Sequence, residues 1–127
     1  MINDNWICLY SDLPGGLRSG FGTKHSINKF FEQRMDKVPD LIFYRNNTVV
    51  ICEVDHMLNE DYLIKFNLYK KNISEIINFF KVLISKKIEN CKFYFIYKNK
   101  SKKEILKNNY KKENIKLFFF DNEIFNQ

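Results

Sequence analysis

Three acids in the middle of the chain, Asp40, Glu53 and Asp55, have the type and spacing to do chemistry. They bracket two β-rich runs, VPDLIFY and VVICEV, joined by RNNT. Asn46-Asn47 reads as a two-residue hairpin loop, because Asn tolerates the positive φ that primed turns need. With that loop Arg45 faces Thr48, Tyr44 faces Val49, Ile42 faces Ile51 and Asp40 faces Glu53. Directly opposed residues share a sheet face, so the two carboxylates sit with Cβ atoms about 5 Å apart. Asp55, two residues on, joins that face. Like charges so placed repel, and three arrangements accommodate them. A proton is shared and a pKa rises; a hard cation, Mg²⁺ or Mn²⁺, is held by the carboxylate oxygens; or the hairpin ends splay into solvent and Arg34 or Lys37 pairs with the acids.

Other polar groups are weaker candidates. His56 follows Asp55 and has the chemistry of a metal ligand or general base, against a plain loop histidine. His25 opens a helix, and neither histidine has a Cys or His at zinc-ligand spacing. A lysine run of Lys98, Lys100, Lys102, Lys103, Lys107, Lys111, Lys112 and Lys116 is diluted only by Glu104 and Glu113. It suits a phosphate backbone, with Tyr97 and Tyr110 placed to stack on unpaired bases, or else it is a solvated helix face.

The elements that must position these groups are legible from period and punctuation. Residues 13–24 hold all four glycines and one of the two prolines, and read as a loop without the P-loop pattern. That loop is a connector from an N-terminal strand, or a flap over a polar ligand. Ser26 N-caps a helix over about residues 27–36, with Ile27, Phe30, Phe31 and Met35 as its buried stripe, and Pro39 prevents continuation. Residues 59–88 are the longest helical signal, divided in two if Asn72 and Glu75 form a capping box. KFYFIY at 92–97 is a strand apolar on both faces, hence central. A lysine-rich helix over 101–112 and a last strand at 115–120 follow. Strand, helix, hairpin, long helix, strand, helix, strand predicts an α/β fold, a mixed central sheet flanked by helices, with at least one parallel pair.

The 127 residues fit one domain, 1–127. With 45% hydrophobic and 17% aromatic residues, the chain can build a core without disulfide or metal staples. Cys8, Cys52 and Cys91 are far apart and odd in number, which argues against a disulfide framework and for a reducing, cytoplasmic setting. Cys52, in an apolar run, reads as core. No apolar stretch is long enough to span a membrane, and the first ten residues lack the pattern of a signal peptide. The formal net charge of +6 and pI of about 9.2 bias the chain toward a polyanionic partner.

Pro39-Asp40, twelve residues, then Glu53-Val54-Asp55 resembles the motif of the PD-(D/E)XK, or restriction-endonuclease-like, nucleases. The resemblance covers roughly residues 25–97, including a preceding helix with Glu32 and a following long helix. It implies a restriction-endonuclease-like fold and metal-dependent cleavage of a nucleic-acid phosphodiester, DNA rather than RNA. It implies Mg²⁺ or Mn²⁺ on Asp40, Glu53 and the carbonyl of Val54, with Glu32 for a second ion. The lysine of the motif is replaced by Asp55, and Lys65 on the next helix is the substitute the resemblance offers. Asp55, Lys65 or His56 would then orient the attacking water, and Lys98, Lys100, Lys102, Lys103 and Lys107 would meet the nucleic acid. His25 is similar in place to the metal histidine of some viral members. A duplex cutter of this size would act as a homodimer. A second, narrower resemblance joins PDLIFY…VVICEVDH, Lys65-x-x-x-Tyr69 and His25-Ser26-Ile27-Asn28 to the replication-relaxation proteins of plasmids and mobile elements. It implies the same fold in a non-catalytic DNA-binding accessory protein. Those proteins usually carry a winged helix ahead of this segment, for which this length leaves no room. An interaction module without nucleic acid is the third expectation.

Overall fold

Strand β1 (Ile7–Ser11) opens the computed structural model, which describes residues 6–12, 24–98 and 104–119. Helix α1 (Lys24–Met35) follows, then β2 (Leu41–Arg45) and β3 (Thr48–Asp55). Helices α2 (Asp61–Lys71) and α3 (Ile73–Ile84) lead to β4 (Asn90–Tyr97), α4 (Glu104–Lys112) and β5 (Ile115–Phe119). The five strands make one sheet in the order β1-β2-β3-β4-β5. β1, β2 and β3 run antiparallel, and β3, β4 and β5 run parallel, so the described residues form a mixed α/β fold.

The hairpin is built by its turn. Asn46 and Asn47 have φ of 49° and 62°, the left-handed pair of a type I′ turn whose twist matches the flanking strands. The register is the one such a turn dictates: Arg45↔Thr48, Tyr44↔Val49, Ile42↔Ile51 and Leu41↔Cys52. Helix α1 ends where Asp36 turns left-handed at φ 53°, three residues ahead of Pro39. The helix starts at Lys24, so Ser26 lies inside the first turn rather than capping it. Of the glycine-rich stretch 13–24, only Lys24 lies within the described residues. The long helical segment does divide at Asn72, but not through a capping box. Asn72 Nδ2 donates backward to the Leu68 carbonyl at 2.9 Å, and its side chain caps nothing ahead of it. At the start of α2, Asn59 Oδ1 accepts the Asp61 N–H at 3.0 Å, and the Tyr110 hydroxyl donates to the Asn59 carbonyl at 2.5 Å, tying α4 to that corner.

Strand alternation sorts the side chains into two faces. One face of the sheet packs against all four described helices in a core that includes Ile27, Phe31, Ile51, Phe66, Tyr69 and Phe95. Phe66 is fully buried at its centre, edge-on to Tyr69, Phe93 and Tyr110. Removing a side chain of this size from water contributes about 1.5–3 kcal/mol. The other face carries a smaller apolar cluster of Leu41, Phe43, Val50, Cys52 and Ile96, to which no described helix contributes. Cys52 is buried there, and all three cysteines are free. No helix among the described residues is long and apolar enough to cross a membrane.

Candidate functional site

The open end of the hairpin gathers the candidate groups. Asp40 stands immediately before β2, its N–H donating to the Cys52 carbonyl at 3.2 Å while its own carbonyl accepts the Asp12 N–H at 2.9 Å. Its side chain continues the ladder where the strand stops. Asp40 Oδ2 accepts the Val54 N–H at 2.8 Å, a strand donor that otherwise has no partner from β2. An extended residue points its N–H and C=O the same way, so the Val54 carbonyl also faces the Asp40 side.

Glu53 projects onto the helix-covered face and is fully buried. A buried carboxylate needs partners for both oxygens, and α2 supplies them. Lys65 Nζ donates to Oε1 at 2.9 Å, and the Tyr69 hydroxyl donates to Oε2 at 2.8 Å. Lys65 and Tyr69 are four apart on one helix, so they share a face and reach Glu53 together. Lys65 also donates to the Val38 carbonyl at 3.2 Å, and its side chain is only 19% exposed. Lys65 is thus the partner of Glu53, and Arg34 pairs instead with Glu75, at 3.6 Å.

Burial pushes the Glu53 carboxyl up to about 8, with the charge of Asp40 adding to the rise and Lys65 and Tyr69 opposing it. The Tyr69 hydroxyl is pushed above its ordinary range by burial and by the adjoining Glu53, which keeps it a donor. Tyr10 is raised to about 12, chiefly by burial and then by Asp12; the charges of Asp40 and Glu32 also reach it.

Asp55 is engaged differently. Its Oδ1 accepts the His56 N–H at 2.6 Å and its Oδ2 accepts the Tyr62 hydroxyl at 2.8 Å. It thereby fixes the corner between β3 and α2. Among the described residues, no three of His, Cys, Asp and Glu gather so as to hold a metal ion. The site is two carboxylates, a carbonyl and an ammonium rather than three carboxylates. Glu32, His25 and His56 are exposed.

The described lysines of the run do not form one stripe. Lys98 is exposed and its N–H donates to the His56 carbonyl at 3.2 Å, which places it at the same end of the sheet as Asp55. Lys107 lies on α4 with its ammonium 3.5 Å from Glu104. Lys100, Lys102 and Lys103 fall outside the described residues. The expectation that Tyr97 and Tyr110 stack on bases is corrected: both are buried in the helix-side core, where no base can reach them.

Sequence reading passes over Tyr62 as a member of the site and reaches Tyr69 only through the Lys65-x-x-x-Tyr69 pattern of the second resemblance. The signal for Tyr69 is its spacing from Lys65, since any lysine reaching back to Glu53 brings the residue four further on with it. Comparison of the chain with protein-family models, with curated proteins and with solved structures found no match.

Proposed function

We propose that this chain is a metal-dependent endonuclease of the restriction-endonuclease-like fold, hydrolysing phosphodiester bonds of nucleic acid, DNA in preference to RNA. One observation carries the reading: Lys65 Nζ lies 2.9 Å from Glu53 Oε1 at the mouth of the hairpin that also holds Asp40. Acid, acid and ammonium come from three elements, and the ammonium arrives from α2 because Asp55 stands where the nuclease motif has its lysine.

The donors fit a hard divalent ion. All are oxygens, and one of them, Glu53 Oε1, already accepts from the Lys65 ammonium, so the place accommodates a positive charge. Mg²⁺ or Mn²⁺ would be held by Asp40, Glu53 and the carbonyl of Val54. Mg²⁺ is commonly bound through one or two carboxylates with waters completing its shell, so a third carboxylate is not required. When bound, such an ion polarises the phosphate and lowers the pKa of a water. The chain's own residues do the rest. Lys65 places a positive charge where negative charge develops on the phosphate oxygens. Tyr69 holds Glu53 in orientation. Burial raises Glu53 to about 8 in the metal-free chain, and a cation held beside it would oppose that rise and favour the carboxylate that binds it. Asp55, through Tyr62, sets the position of α2 against β3. Lys98, exposed at this end of the sheet, meets the phosphate backbone.

A second reading, the non-catalytic DNA-binding accessory protein, is favoured by the complete burial of Glu53 and the engagement of both its oxygens. Incubation with supercoiled plasmid in Mn²⁺ or in EDTA separates the two. The nuclease reading expects nicking or linearisation with Mn²⁺ only, abolished in Asp40→Ala and strongly reduced in Lys65→Ala. Absence of cleavage in the wild type, with salt-dependent DNA binding and no Mn²⁺ uptake by calorimetry, would replace it with the accessory reading.

A further inference from the structure

We propose that the sheet face opposite the helices is a binding platform for single-stranded nucleic acid. The inference stands apart from the nuclease reading, because it uses a different surface and requires no metal and no cleavage.

The argument begins with which charges alternation sends to that face. Within the five described strands the only acids are Glu53 and Asp55, and both project to the helix side, where they meet α2. The opposite face receives Arg45, Lys92 and Lys116 and no carboxylate from those strands. Among the described strand residues its charge is therefore of one sign.

Aromatic rings lie among those cations. Trp6, Tyr94 and Phe118 surround the apolar cluster on this face and are each partly exposed. The Arg45 guanidinium lies 5.3 Å from the Trp6 ring centre. The Lys116 ammonium lies 5.2 Å from the Phe118 ring and 5.9 Å from that of Tyr94. The Tyr94 and Phe118 rings are 4.9 Å apart, centre to centre. Between the Trp6 side and the Phe118 side runs an apolar cleft of about 220 Å³ over Val50 and Cys52.

Partly exposed rings interleaved with cations across adjacent strands are what a base-stacking platform needs. Bases stack on aromatic side chains while their phosphates meet the basic groups. Strands about 4.8 Å apart spread this surface over roughly 19 Å, enough for several nucleotides. A duplex keeps its bases stacked on one another and would meet only the cations. A second copy of the chain, docked face to face, would bring Arg45, Lys92 and Lys116 against their own counterparts, and like charges so placed oppose association. The complementary partner is a polyanion with exposed planar rings.

Trp6 is the chain's one tryptophan, so its fluorescence reports the platform directly. The full-length protein would be titrated in EDTA with a 20-mer of oligo-dT, following Trp6 emission and the anisotropy of an end-labelled strand. The expected result is saturable quenching, with affinity falling as salt rises by about 0.7 per phosphate neutralised on a log–log plot. Tyr94→Ala and Phe118→Ala should each weaken binding about ten-fold, in line with the loss of one stacking partner. The exposed-residue variants Lys92→Glu and Lys116→Glu keep the test valid if an aromatic variant fails to fold; each should weaken binding and reduce the salt slope. The proposal is overturned if Trp6 does not respond, if folded variants bind as the wild type does, or if duplex DNA or polyglutamate displaces the strand at equal charge concentration. It is likewise overturned if sedimentation shows dimers through this face that exclude the strand. Because the titration contains no divalent metal, its outcome is independent of whether the chain cleaves.

Discussion

Replacing Glu53 by Gln removes the one buried carboxyl among the described residues while keeping its shape and its capacity to bond. The amide oxygen can accept from Lys65, and the amide nitrogen can donate to the Tyr69 oxygen. The folded chain holds the Glu53 proton up to a pH of about 8, while the ordinary value for the unfolded chain is 4.5. Between these values the folded state carries a proton that the unfolded state has lost. Wild-type stability therefore has its full value below 4.5 and falls as pH rises through 8. A difference of one bound proton changes stability by about 1.4 kcal/mol for each pH unit, so the loss accumulates to about 5 kcal/mol across the window. Glu53→Gln has no such proton to lose. Taking the difference between the two proteins isolates the Glu53 proton from pH effects common to both. Urea denaturation at half-unit steps from pH 4.5 to 9 measures it. With a slope of about 2 kcal/mol per molar urea, the variant's midpoint should overtake the wild type's by roughly 2–3 M across the window. Parallel curves for the two proteins would show that Lys65 and Tyr69 fully offset the burial of the charge, and would refute the reasoning.

Lys65→Met should cost little at pH 5, where Glu53 is neutral, and progressively more as pH rises past 8, by about 1.4 kcal/mol per pH unit while the variant's carboxyl keeps its proton; the same urea series reads this, and a cost independent of pH would contradict it. Phe66→Ala should destabilise the fold by about 3–5 kcal/mol at any pH, since it opens a cavity among the rings of Tyr69, Phe93 and Tyr110; a loss under about 1 kcal/mol by urea midpoint would mean the core collapses into the gap.

Local chemistry determined much of this molecule. Asn46-Asn47 set a two-residue turn, and strict alternation then placed Asp40 beside Glu53 and put Glu53 and Asp55 on one face, because side-chain direction along a strand depends only on parity. The helix stripe of Ile27, Phe30, Phe31 and Met35 followed from periodicity in the same way, and the apolar run of β4 from its place inside the sheet, between β3 and β5. What lies beyond one element's own period was decided by packing. Asn72 divides the long helical segment, yet its side chain turns back to Leu68, a choice between two local bonds that only the surroundings settle. Tyr97 and Tyr110 looked free to stack on bases and are buried, because α4 lies down on the helix side of the sheet. The described lysines of the run were scattered by the same folding, sending Lys116 to the face opposite the helices while Lys107 stayed on α4 beside Glu104. Above all, the burial of Glu53 depends on the approach of α2, twelve and sixteen residues further along, which brings Lys65 and Tyr69 to its two oxygens. Alternation can place a carboxylate on a face. How far its pKa moves depends on what covers that face, a property of the packed core and not of any stretch of chain.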